Sequence, residues 1–176
     1  SMGWMFVPLT EYQGGGEAAT IEPLDEHLDH YEQMLVSNLA MGVQACYRGP
    51  RLYDTDRTKK TIASHVGWFK KYRDILESDM VHGRRADGRD IDWMLHVNPA
   101  LPQKGMLVVF NPLETPVQRT LHVNLYYTGL VNSAKIREGE GEPREYQLAR
   151  DYSVDIPVSL PPQGFTWFVI EEPTRE

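Results

Sequence analysis

Apolar residues along this chain change their period part-way. Leu24, Leu28, Tyr31, Leu35 and Leu39 recur at spacings of three and four, which predicts an amphipathic helix opening near Pro23 and Asp25 and closing near Gly42. Ile62, Val66, Phe69, Tyr72 and Leu76 repeat the pattern, so a second helix runs to about Ser78, with Asp54 or Thr55 as its cap. Short apolar runs precede each helix. WMFVPL at 4–9 has the composition of a buried strand leading into the Gly-rich TEYQGGGEAAT, and GVQACY supplies a second strand at 43–47 before the cationic turn RGPR.

Beyond residue 79 the period falls to two. MVH and IDWMLHV flank RRADGRD, where Asp87 and Gly88 can form a tight hairpin. MLVVFN at 106–111 is the next strand. In the following run Val117, Leu121, Val123, Leu125 and Tyr127 share one face and Gln118, Thr120, His122 and Asn124 the other. Val154, Ile156, Val158 and Leu160 alternate in the same way, with Pro157 indicating an edge strand. FTWFVIE at 165–171 is apolar on both faces and belongs at a sheet centre. EGEGEPRE at 138–145 reads as a solvated loop. Helices followed by strands predict segregated layers of an α+β chain, 1–79 and 80–176, the second an antiparallel β-sandwich.

Composition narrows the functions. Hydrophobic residues make up 41% of the 176, enough for a core. The net charge of −7, with no outweighing cluster of Lys and Arg, gives no footprint for nucleic acid or an acidic membrane. Lys59, Lys60, Lys70 and Lys71 form the wet side of the second helix. No apolar run reaches the roughly 18 residues of a membrane span. Ser1 and Met2 read as a cloning remnant, with more chain expected upstream. One cysteine, Cys46, excludes an internal disulfide, and no Cys/His spacing fits zinc. No metal or other cofactor is expected.

Chemistry-bearing residues gather in the two loops that follow the early strands. Glu11 and Tyr12 come after the first, and Tyr47, Arg48, Arg51 and Asp54 after the second. Carboxylates and guanidinium groups bind hydroxyls and tyrosines offer a flat apolar face, so this set suits a sugar. The competing reading pairs Arg48 and Arg51 with nearby acids and spends Asp54 as a cap. Gly14, Gly15 and Gly16 lack the rest of a phosphate-binding motif and read as a flexible loop. His27 and His30 read as surface residues, Asp25 and Glu26 as helix-start acids, and Trp68, Trp93 and Trp167 as core.

The string GWFKKYRDILESDMVHGRRADGRD, followed by WMLHVNP and KGMLVVFNP, resembles the C-terminal part of α-galactosidase-like glycoside hydrolases and their bacterial relatives. Lys71, Tyr72, Arg73, Leu76 and Asp79 match the segment in which the family's last barrel helix gives way to a β-sandwich. The resemblance implies that the N-terminal segment holds the last two β/α units of a barrel, with 4–9 and 43–47 as its strands. It implies a carbohydrate-acting parent protein, periplasmic or extracellular, whose catalytic carboxylates lie upstream. None of the present residues takes a catalytic role, and the chain alone is expected to be inactive; the alternatives are a stand-alone carbohydrate-binding β-sandwich module and a structural or oligomerisation domain. The exposed barrel strands of such a piece predict a homo-oligomer.

Overall fold

Residues 22–43, 51–83 and 87–173 are described by a computed structural model of the chain. The expected strand at 4–9, all but Val43 of that at 43–47, the triple glycine, and Glu11, Tyr12, Tyr47 and Arg48 lie outside these residues. Two compact units follow one another, the first closing at Leu76 and the second opening at Glu77.

In the first unit, helix α1 spans Leu28–Leu39 and helix α2 spans Asp56–Leu76. Helix α1 starts later than its apolar spacing suggests, because Pro23–His27 forms a turn in which the His27 N–H reaches the carbonyls of Pro23 and Leu24. Its end follows from Gly42, whose φ of +70° suits glycine. There the Gly42 and Val43 N–H groups donate back to the carbonyls of Leu39 and Asn38. Leu24, Tyr31, Met34 and Leu35 form a small core against which Ile62 packs. Of the stripe on α2, only Tyr72 and Leu76 are fully buried, joined by Ile75, while Ile62, Val66 and Phe69 are half-covered.

Among the described residues the second unit holds eight antiparallel strands: β1 Asp79–His82, β2 Asp92–Val97, β3 Gln103–Phe110, β4 Val117–Asn124, β5 Ser133–Glu138, β6 Arg144–Gln147, β7 Ser153–Leu160 and β8 Phe165–Glu171. Six make one sheet in the order β1-β2-β3-β8-β5-β6, and β4 pairs with β7 in the other. Inward side chains of both sheets, among them Leu95, Leu107, Leu121, Val123, Ile156 and Ile170, share one core, so the sheets stack like a sandwich. The chain is thus an α+β fold. FTWFVIE lies at the sheet centre as expected, between β3 and β5. Pro157 falls in a two-stranded sheet where every strand is an edge and a missing N–H is tolerated.

Three expectations need correction. Tyr127 is not on the buried face of a strand: β4 ends at Asn124, a short 3-10 turn covers Tyr126–Thr128, and Tyr127 is 62% exposed. The solvated loop of 138–145 narrows to 139–143, since β5 and β6 claim its flanks. Trp68, Trp93 and Trp167 are half-buried rather than fully buried; Trp93 packs on the edge of the shared core, and Trp167 stacks on Phe165 at 5.7 Å.

Candidate functional site

The segment ahead of α1 and the cap of α2 are joined by a polar cluster. At the cap, the Thr55 hydroxyl accepts the Thr58 N–H at 3.2 Å, and the Thr58 hydroxyl accepts the N–H groups of Thr55 and Asp54, each at 3.1 Å. This is a reciprocal capping arrangement with threonine in the place usually held by Glu or Gln. Asp54 turns both carboxylate oxygens inward, one accepting the Thr58 hydroxyl at 3.0 Å and the other the Asp25 N–H at 3.1 Å. Asp25 answers across the same gap, accepting the Thr55 hydroxyl at 2.8 Å and Arg57 Nε at 2.9 Å, while Arg57 Nη2 donates to the Asp25 carbonyl at 2.6 Å. The Tyr31 hydroxyl donates to the Leu52 carbonyl at 2.8 Å and ties the loop down on α1.

These bonds set the electrostatics. The hydroxyl of Thr55 and the guanidinium of Arg57 hold the Asp25 carboxyl below the ordinary carboxylate range. At Asp54 partial desolvation works upward, but the Asp25 N–H and the Thr58 hydroxyl outweigh it, and that carboxyl is lowered too. Both acids are therefore firmly ionised. A general acid for glycoside cleavage needs the opposite shift. What the cluster leaves toward solvent is Arg51, which donates to Glu22 at 3.2 Å, and Tyr53, 47% exposed with Lys59 Nζ 5.3 Å from its ring centre. Such a surface can hydrogen-bond and stack a polar ligand.

Of the six residues singled out from the sequence, the structure places Asp54 in this cluster and Arg51 in a pair with Glu22, as the competing reading of Arg51 has it. Asp25, Thr55, Arg57 and Thr58 join Asp54, and no local motif announces that set, since the partners lie about thirty positions apart. His27 and His30 are exposed, and among the described residues no group of His, Cys, Asp and Glu could hold a metal ion. A concavity of about 420 Å³ lies in the sandwich unit, lined by the buried Ile136 and Phe168 and by Glu142, Arg144 and Tyr146. Of its lining, Glu138, Gly141, Glu142 and Arg144 fall in the stretch that reads from the sequence as a solvated loop.

No family profile matches the chain, and no curated protein does. Solved structures do. One, assigned as an α-N-acetylgalactosaminidase of Bacillus halodurans, matches over 84% of this chain at 15% identity with a TM-score of 0.49. Another, assigned as an α-galactosidase/melibiase of Bacteroides fragilis, matches over 82% at 16% identity with a TM-score of 0.48. The likeness is one of fold. The chain spans 31% and 28% of the lengths of these two proteins. They are the kind of protein that the sequence resemblance points to.

Proposed function

We propose that this chain is the C-terminal part of a glycoside hydrolase-like protein acting on carbohydrate, its residues 1–79 the last two β/α units of a barrel and 80–176 the terminal sandwich. The observation that carries the reading is the junction. Lys71, Tyr72, Arg73 and Leu76, the residues of the family resemblance, occupy the final turns of α2, and Asp79 opens β1. The strings WMLHV and KGMLVVF then fall on the adjacent antiparallel strands β2 and β3. In a barrel of this kind, loops leading into helices carry the ligand, and the loop of Arg51, Tyr53 and Asp54 leads into α2. Its role is to line a sugar site, together with Glu11, Tyr12, Tyr47 and Arg48, while the reacting carboxylates come from upstream.

The test is hydrolysis of aryl α-galactosides and aryl N-acetyl-α-galactosaminides by the 176-residue chain and by the protein extended upstream through its gene. The short chain is expected to show no turnover and the extended protein to show it. Turnover by the short chain that Asp54→Asn abolishes, or an extended protein inactive on every glycoside tried, overturns the reading. The same proposal makes the isolated chain a homo-oligomer, which light scattering checks.

A further inference from the structure

Three tyrosines meet at one end of the two-stranded sheet. Tyr126 stands edge-on to Tyr127 at 5.3 Å between ring centres and edge-on to Tyr152 at the same distance. Tyr126 and Tyr127 are 58% and 62% exposed, while Leu125 and Thr128 of the same turn are wholly buried. The turn is thus anchored by its small and aliphatic members, and the aromatic rings are the part left in water.

Tyr152 adds an independent observation. Its φ is +66°, a region that glycine or asparagine enters easily and a bulky side chain seldom does. The surroundings enforce it: the Tyr152 N–H donates to the Ala149 carbonyl at 2.9 Å, and its own carbonyl accepts the Leu125 N–H at 2.9 Å. Asp151 braces the next residue, accepting the Ser153 N–H at 3.1 Å and its hydroxyl at 2.5 Å. Strained backbone that the fold over-determines gathers at functional positions. Here it sets a half-buried ring against the exposed Tyr126.

Polar groups lie near the same end of the sheet, with Asp151 next to Tyr152 in the chain and His122 paired with Asp155 two rungs in from Asn124 and Ser153. His122 Nδ1 lies 2.8 Å from Asp155 and its Nε2 3.8 Å from Asp151, and all three side chains are about two-thirds exposed. Each carboxylate therefore keeps lone pairs open to solvent. We propose that this end of the sandwich is a carbohydrate-binding site, in which a sugar ring packs on Tyr126 and Tyr127 and its hydroxyls bond Asp151, Asp155 and His122. The size fits this occupant. A tyrosine carries on the order of 200 Å² in all, so the exposed parts of three fall well short of the roughly 800 Å² per partner of a stable protein interface. The nearby acids oppose an anionic lipid surface.

This inference rests on the reading that the protein acts on carbohydrate, and its test is separate from hydrolysis. The 176-residue chain is run in native gels containing guar galactomannan and titrated with raffinose and N-acetylgalactosamine, beside Tyr126→Ala, Tyr127→Ala and Tyr152→Asn. Galactomannan is expected to retard the wild type, and each alanine variant to bind about tenfold more weakly with unchanged circular dichroism. Tyr152→Asn is expected to lose binding without losing thermal stability, because asparagine tolerates the backbone there. Retardation that survives both alanine changes, or no interaction with any of the three sugars, overturns the site. Either failure leaves the hydrolysis assay of the extended protein to judge the carbohydrate reading. Binding to phosphatidylserine vesicles that these changes abolish overturns the sugar as occupant.

Discussion

The hydroxyl of Thr58 donates to Asp54 Oδ1 at 3.0 Å while accepting the backbone N–H groups of Asp54 and Thr55, so one fully buried side chain settles three polar groups at the start of α2. Thr58→Val keeps the shape and removes every one of these bonds. The expected loss is about 1–2 kcal/mol, the usual cost of an abolished cap with its donors left unpaired. Urea unfolding followed by helical circular dichroism checks it, with Lys60→Ala on the exposed side of α2 as the near-neutral control.

Acid should unlock the same cluster. Asp25 and Asp54 titrate below 3.8 in the folded chain, so their stabilisation is present above that value and is lost as pH falls through their lower folded values. Asp25→Asn is therefore expected to be less stable than the wild type at neutral pH and to lose less between about pH 5 and about pH 2. Thermal melts across that range measure the difference.

His122 behaves in the opposite sense. Its hydrogen bond to Asp155, with the charges of Asp155 and Asp151, raises its pKa above 6.5. The stabilisation from its protonated form is thus complete below 6.5 and disappears as pH rises through the folded value. It is small, since the side chains are two-thirds exposed. Titration of the His122 ring protons by NMR should give a midpoint above 6.5, brought down by Asp155→Asn.

Gly83 sits against the face of Trp93, and a methyl group there would overlap the ring atoms Cδ2 and Cε2. The two residues are also tied by the Gly83 N–H donating to the Trp93 carbonyl at 3.1 Å. Gly83→Ala must push the indole aside, at an expected cost of about 1–3 kcal/mol. A shift in tryptophan emission together with a lower denaturation midpoint is the expected result.

The sequence made the sandwich legible wherever one face of a strand is wet. Val117 to Val123 and Val154 to Leu160 alternate because their outer face is solvent, and the pairing of Leu121 with Ile156 and Val123 with Val154 follows from that alternation. β5 was invisible because only Ala134 and Ile136 of its six residues are buried, too short an apolar signal between Lys135 and Arg137. α1 starts later than the spacing predicts, and Asp25 serves a partner on α2 rather than its own helix. At the candidate site the chain betrayed Arg51 and Asp54 by residue type. It could not betray Asp25 with Arg57, or Tyr126 with Tyr152, since those meetings depend on pairings about thirty positions apart.

One consequence of the strand order concerns time rather than energy. Among the described residues β4 and β7 pair only with each other, yet β5 and β6, which belong to the opposite sheet, lie between them in the chain. No local hairpin can start this layer, so its closure must wait for a loop of about thirty residues to be drawn in, and topologies of that kind fold in milliseconds to seconds. During the wait two strands, each with one face lined by valine and other aliphatic side chains, stand open to other chains. Pro157, which cannot donate a hydrogen bond and lies opposite Thr120 in the middle of the pair, then protects the nascent chain from aggregation as well as marking an edge.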